Sequence, residues 1–177
     1  MPNAMMTPFM KRWLAGKVKR YHTWNLINDQ NVGNHTYGVF QIVLAVHPEM
    51  SMELVRAIMD HDAPELRTGD LPYPTKRYKD IGNQVTEIEH KFLSSNPLDN
   101  LEFKILKWAD MAECMLYCFY ELEMGNKTVK EMAKKAVNHM KKMEAEMPSI
   151  YQSRMASWRN DLSFDTTELL EPEKWTI

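Results

Sequence analysis

Residues 59–72 read MDHDAPELRTGDLP, and they follow a segment whose apolar residues keep helical time. Met52, Val55, Ile58 and Met59 recur at i, i+3 and i+4 spacing, which predicts a helix with those four turned inward and Ser51 as its N-cap. Pro64 disfavours helix at Ala63, so the helix ends or kinks there. His61 lies three and four residues after Ile58 and Ala57, and Asp62 four and seven after Ile58 and Val55, so both leave the helix on or beside its apolar stripe. A buried, unpaired carboxylate costs several kcal/mol, so Asp62 needs a cation or strong donors. A divalent metal satisfies His and Asp together. The plainer alternative is a helix C-terminus where a protonated His meets the dipole and an Asp faces water.

The rest of the chain reads as helix. Residues 4–14 predict a short helix closed by Gly16, followed by a polar, irregular stretch through NDQNVGN. Asn34 is placed to cap a helix from His35 to about Val46, with Val39, Ile42, Val43 and Val46 inward. LPYPT at 71–75 reads as a rigid loop. Ile81, Val85, Ile88 and Phe92 mark one face of the next helix, which SSNP ends. Residues 98–124 predict a long helix terminated by Gly125. Thr128 and Glu131 have capping-box spacing for a further helix with Val129, Met132, Ala133, Ala136, Val137, Met140 and Met143 inward, stopped by Pro148. The closing residues, NDLSFDTTELLEPEKWTI, read as a surface tail or docking arm. Strand signals are poor throughout and no repeat or linker is visible. The expectation is an all-α fold, one helical-bundle domain over residues 1–177.

Composition narrows the function classes. The 177 residues are 44% hydrophobic and 26% charged, with a net charge of -2, which excludes a disordered chain and argues against a nucleic-acid polymer as partner. Only Cys114 and Cys118 are available for thiol chemistry, so no disulfide framework is implied, and they read as core thiols. No signal-peptide core and no membrane-length apolar run occurs, so a soluble, cytoplasmic protein without a membrane partner is expected.

Further polar residues occupy apolar surroundings. Asp110 sits in LEFKILKWADMAECMLYCFY among Phe103, Leu106, Cys114 and Tyr117, where an acid is expected only as a ligand or paired with a base such as Lys107 or Arg20. His35 starts a helix whose other periodic positions face inward. Together His35, His61, Asp62 and Asp110 offer two imidazoles and two carboxylates, a set suited to Mn2+, Co2+, Fe2+ or Zn2+ with water positions left open. Open positions suit a hydrolase, because metal-bound water becomes hydroxide near neutral pH. Glu65, three residues past Asp62, is placed to orient or deprotonate that water; Asp70, after the flexible Gly69, to protonate a leaving oxygen or accept from a sugar hydroxyl. The plainer readings are a solvated residue after proline and an ordinary turn Asp. KVKRYHT and PTKRYK supply cations, and Tyr21 and Trp24 are flat enough to contact a sugar or base. His47, His90 and His139 have no ligand-spaced partners and read as surface or helix-end residues.

The ordered set VKRYHT, NVGNHT, HDAPELRTGDLP and KWADMAE, spanning roughly residues 17–125, resembles the HD-domain phosphohydrolases. Within them it resembles most the 5′-deoxynucleotidases and the small phage-type dATP triphosphohydrolases. The resemblance implies an HD fold, a metal held by His35, His61, Asp62 and Asp110, and catalytic roles for Glu65 and Asp70. It further implies that Arg20 and Lys76 contact phosphates, that Tyr21 helps exclude a 2′-hydroxyl, and that the protein forms homo-oligomers. Two departures stand out: Asn34 where the family often has Glu, and Tyr21 where it often has Trp. The expected activity is hydrolysis of a deoxynucleoside triphosphate, dATP above all, to deoxynucleoside and inorganic triphosphate by attack on the α-phosphate. The basic residues Lys76, Arg77 and Lys79 favour the triphosphate. A 5′-deoxynucleotidase acting on monophosphates is the alternative within the family, and a non-catalytic nucleotide-binding or assembly module the alternative outside it. Co2+, Mn2+ or Zn2+ is the expected metal, with Mg2+ accompanying the phosphates.

Overall fold

The computed structural model describes residues 7–76, 78–92 and 98–162. Within them the chain forms α1 (Pro8–Ala15), α2 (Val32–Val46), α3 (Met52–Asp60), α4 (Glu65–Thr68), α5 (Tyr73–Lys76), α6 (Lys79–Phe92), α7 (Asn100–Glu123), a 3-10 turn (Lys127–Val129), α8 (Lys130–Ala145) and α9 (Ser149–Asp161). The fold is all-α; the extended pairing among the described residues is an isolated antiparallel bridge between Lys19 and Asn31. The predicted SSNP stop, the start of the first helix at residues 4–6, Arg77 and the tail from 163 onward lie outside the described residues.

α7 is the axis of the core. Asp99 caps it by accepting from the Glu102 amide at 2.8 Å. Ile105, Trp108, Ala109, Ala112, Met115 and Cys118 are fully buried along it. α2 packs on α7 through Val39, Ile42, Val43 and Val46, and α8 through Ala133, Ala136, Val137 and Met140, all buried as the 3.6-residue period requires. Each large aliphatic side chain buried this way contributes roughly 1.5–3 kcal/mol.

Several expectations need correction. On α3 the buried residues are Leu54 and Ile58, whereas Met52 and Met59 are more than half exposed. A nine-residue helix needs only one i, i+4 pair to dock, and the Leu54–Ile58 pair faces the core. The cap of α2 is Asn31, whose side chain accepts from the Asn34 amide at 2.8 Å. The helix begins earlier because Val32 and Gly33 donate to Val18 and Gly16 carbonyls, tying its first turn to the preceding loop. Thr128 forms no capping box with Glu131. Its hydroxyl is engaged by Asn25 and Asn126, and Asn126 caps a 3-10 turn that runs into α8. Residues 73–76 of the predicted LPYPT loop coil into α5. Phe103 is half exposed rather than part of the apolar stripe around Asp110. Residues 149–161, given no helix from the sequence, form α9, which buries Tyr151 and Met155 against the core. Glu144 holds α9 to α7, accepting from Trp108 Nε1 at 3.0 Å and from Arg159.

Three sets of contacts hold the loops and helix ends from which the polar side chains project. The segment 17–31 is a hairpin-like loop closed by Arg20 N donating to Gln30 O at 2.8 Å. Its far end is pinned by Glu121, fully buried, which accepts from Ile27 N, Asn28 N, Asn28 Nδ2 and Asn126 Nδ2. Arg12 of α1 makes a two-toothed pair with Asp60 at 2.7 and 2.9 Å, fixing the end of α3 where the polar cluster begins.

Candidate metal centre and active site

His61 stands at the C-cap of α3, and Asp62 lies next in the turn that Pro64 forces before α4. His35 projects from the first turns of α2 and Asp110 from the middle of α7, so one point collects side chains from three parts of the fold. His35 Nε2 lies 3.1 Å from His61 Nε2, 3.5 Å from Asp62 Oδ2 and 3.2 Å from Asp110 Oδ1. His61 Nε2 lies 3.6 Å from the same Asp62 oxygen.

The imidazole tautomers show what this cluster fits. His61 Nδ1 is 2.7 Å from the Ile58 carbonyl, which only accepts, so Nδ1 carries the proton and Nε2 presents a lone pair. His35 Nδ1 is 2.5 Å from Glu113 Oε2, which fixes the same tautomer when the ring is neutral. Two lone-pair nitrogens therefore face one another beside two carboxylates. A divalent cation satisfies that arrangement, and His35, His61 and Asp62 have ligand atoms close enough to share one ion. Nitrogen and oxygen donors in this ratio suit Zn2+, Mn2+ or Co2+.

Without a cation, a proton on His35 takes the place of the positive charge that the surrounding carboxylates call for. Burial and Arg20 push the His35 pKa down, yet hydrogen bonds to Asp110 and Glu113 outweigh them and raise it to about 10. Burial opposes ionisation of Asp62 and Asp110, but the surrounding histidines, with Arg20 for Asp62 and Lys107 for Asp110, hold both below the usual carboxylate range. The partner of Asp110 is thus His35, not a salt bridge to Lys107 or Arg20 alone.

Around this cluster the other predicted residues take distinct places. Arg20 is buried and donates through Nη1 to Asp62, while its Nε has no hydrogen-bond partner. Tyr21 adopts a left-handed backbone, φ 53°, and its amide donates to Asp70 Oδ2 at 2.5 Å. Its ring stacks on Tyr117 at 5.2 Å between centroids. The Asp70 oxygen thus reaches the 17–31 loop through the Tyr21 backbone, on a turn that Gly69 makes at φ 67°. Glu65, buried at the start of α4, has Lys76 Nζ 3.4 Å from one oxygen and no partner on the other. Burial and the charge of Asp62 raise its pKa to about 7, with Lys76 and Arg20 opposing. A carboxyl balanced between its two forms near neutral pH suits proton transfer. Trp24 is exposed.

No family model matches the chain. Among solved structures, it is similar to the cyanophage S-2L HD phosphohydrolase DatZ bound to dA and one catalytic Zn2+ ion. The TM-score is 0.67 and the identity 17%, over 89% of this chain and 97% of that one. It is also similar to an HD-domain phosphohydrolase from Listeria innocua, with a TM-score of 0.62 and 20% identity over 93% and 89% of the two chains. These likenesses show the fold: the all-helical arrangement of this chain is shared with HD-domain structures. The chain is also similar to a curated 5′-deoxynucleotidase of Vibrio cholerae serotype O1, 27% identical over 141 residues, 62% of this chain and 71% of that one. Among the described residues, no helix is long and apolar enough to cross a membrane.

Sequence reasoning missed Glu113. It sits three residues after Asp110, on the same face of α7, and its carboxylate touches His35 and Gln30. The signal available was that i, i+3 offset from an acid already suspected, together with Gly38 on the facing helix.

Proposed function

We propose that the chain is a metal-dependent phosphohydrolase of deoxynucleotides, a single HD-type domain over 1–177 whose preferred substrate is a deoxynucleoside triphosphate of the dATP type. The observation that carries this is the gathering of His35, His61 and Asp62, whose ligand atoms lie close enough to share one ion, with Asp110 Oδ1 3.2 Å from His35 Nε2. A divalent ion held there supplies an activated water and a counter-charge for the α-phosphate.

The chain's own residues do the remainder. Arg20, buried and with its Nε free, is placed to take a phosphate oxygen beside Asp62 and to neutralise charge that develops as the phosphorus–oxygen bond breaks. The free oxygen of Glu65 is the proton acceptor for the attacking water, and Lys76 holds the other oxygen. The water oxygen bonds to the α-phosphorus, the 5′-oxygen leaves and takes up a proton, and deoxynucleoside and inorganic triphosphate are released. Asp70 fixes Tyr21, and the Tyr21 ring, backed by Tyr117, forms the wall against which a 2′-hydroxyl is rejected. The exposed apolar residues Phe9, Trp13, Tyr37, Met52 and Met59 support assembly into a homo-oligomer.

One observation favours the second reading, a 5′-deoxynucleotidase: Lys76 leans on Glu65 rather than standing free for a distal phosphate. The cluster of His35, His61 and Asp62 and the unpaired Glu65 oxygen speak against a purely binding module. Incubation of protein loaded with Mn2+, Co2+ or Zn2+ with dATP, dAMP and ATP separately, monitored by phosphorus NMR, tests the proposal. Inorganic triphosphate from dATP with ATP spared is expected. Orthophosphate from dAMP alone assigns the monophosphatase, and no product from any substrate defeats the catalytic reading.

A further inference from the structure

Glu113 is an acid in the core of α7, and its two oxygens are divided between two jobs. Oε2 takes His35 Nδ1 at 2.5 Å, and Oε1 takes Gln30 Nε2 at 2.6 Å. Gln30 in turn accepts the Arg20 amide through its carbonyl, at 2.8 Å. The facing helix is shaped around this carboxylate. A Cβ at Gly38 would lie 2.7 Å from Glu113 Cγ and 3.2 Å from its Oε1, so the close approach of α2 to Glu113 requires glycine there.

We propose that Glu113 is a positioning residue for the metal centre, holding His35 with Nε2 turned to the metal and tying that ligand, through Gln30, to the loop that carries Arg20. The inference rests on the metal reading above. A ligand imidazole needs an acceptor for its other N–H; a carboxylate in that place fixes ring orientation and tautomer and makes the ligating nitrogen a stronger donor. His61 has only the Ile58 carbonyl for this purpose, so the two histidine ligands are not equivalent: His35 is the carboxylate-backed one.

Two variants of the full chain separate this from simple loss of structure. Glu113→Gln keeps the shape and a hydrogen bond to each neighbour, since Gln30 Oε1 is without a partner and can receive its N–H after an amide flip, but removes the negative charge that makes the ligating nitrogen a stronger donor. Gly38→Ala leaves Glu113 chemically intact and places the favoured helix residue inside α2, but pushes the carboxylate away. Zn2+ affinity, measured by competition with a chromophoric chelator on metal-free protein whose fold is checked by circular dichroism, is expected to fall about 10- to 100-fold in both variants. Folded variants that bind Zn2+ within about twofold of the parent chain overturn the role of Glu113. A parent chain that does not bind Zn2+ overturns the metal reading instead, so the two failures are distinct. Nitrogen-15 NMR of the parent Zn2+-loaded protein gives an answer that needs no variant. The His35 proton is expected on Nδ1, slow to exchange and shifted downfield by the carboxylate. A proton on Nε2 refutes the proposal.

Discussion

Glu121 is an acid with no solvent exposure that is held by neutral donors among the described residues, and its replacement by alanine is a demanding test of how the loop before α2 is held. Its carboxylate accepts from Ile27 N and Asn28 N at 2.8 Å each, Asn28 Nδ2 at 3.2 Å and Asn126 Nδ2 at 2.6 Å. These donors outweigh the cost of burial and hold its pKa below the ordinary range. A hydrogen bond to a charged group is worth about 1.5–3 kcal/mol, and an orphaned buried donor costs about 1–3 kcal/mol. Ile27 is half exposed and Asn28 partly so, so water replaces part of the loss at those amides. The expected destabilisation is therefore about 3–5 kcal/mol, toward the low end of the sum over four donors. Urea unfolding monitored by circular dichroism reads it directly, with an unchanged slope showing that the unfolded state is not altered. Glu121→Gln, which keeps one acceptor oxygen and turns an amide toward the remaining donors, should lose less. A loss below about 1 kcal/mol for the alanine variant would refute the reasoning, because it would mean that the loop rehydrates without penalty.

Metal-free protein given Zn2+ at about 100 times its Kd gains about 2.7 kcal/mol, and at about 2–4 °C per kcal/mol the Tm rises roughly 5–11 °C; His61→Ala should abolish the shift in a thermal melt. The rising limb of kcat/KM against pH should have its midpoint at or below about 7, the Glu65 value without a bound cation, since a carboxylate is the active form and added positive charge lowers its pKa. Glu65→Gln should remove that limb and cost about 100-fold or more in rate. Met155→Ala, at a fully buried position on α9, should destabilise by about 2–5 kcal/mol in urea unfolding; a loss under about 0.5 kcal/mol would show that α9 is not part of the core.

Residues that break a pattern are the ones a sequence makes legible. His35, His61, Asp62 and Asp110 stand on apolar stripes where polar groups need a reason, and the structure brings all four together. The phase of α3 is harder to read: Met52 and Met59 keep the same helical spacing as Leu54 and Ile58, and nine residues do not decide between two faces until a neighbour is present. Asn31 and Asn34 are equally good caps by residue type, and the choice is made by Val18 and Gly16 carbonyls, which belong to a tertiary contact. Glu113 reads as one more acid on a helix rich in them, and only the approach of α2 across Gly38 shows that it is enclosed. α9 carries just Tyr151 and Met155 as buried anchors, too few to announce an amphipathic helix, and depends on Glu144 and Trp108 from distant parts of the chain.

The proposed chemistry turns on one ion. A crystal of Zn2+-loaded protein measured on both sides of the zinc absorption edge should show an anomalous peak within about 2.0–2.2 Å of His35 Nε2, His61 Nε2, and one oxygen each of Asp62 and Asp110. A protein that hydrolyses deoxynucleotides while its anomalous peak lies elsewhere, or binds no ion among these four side chains, would contradict it.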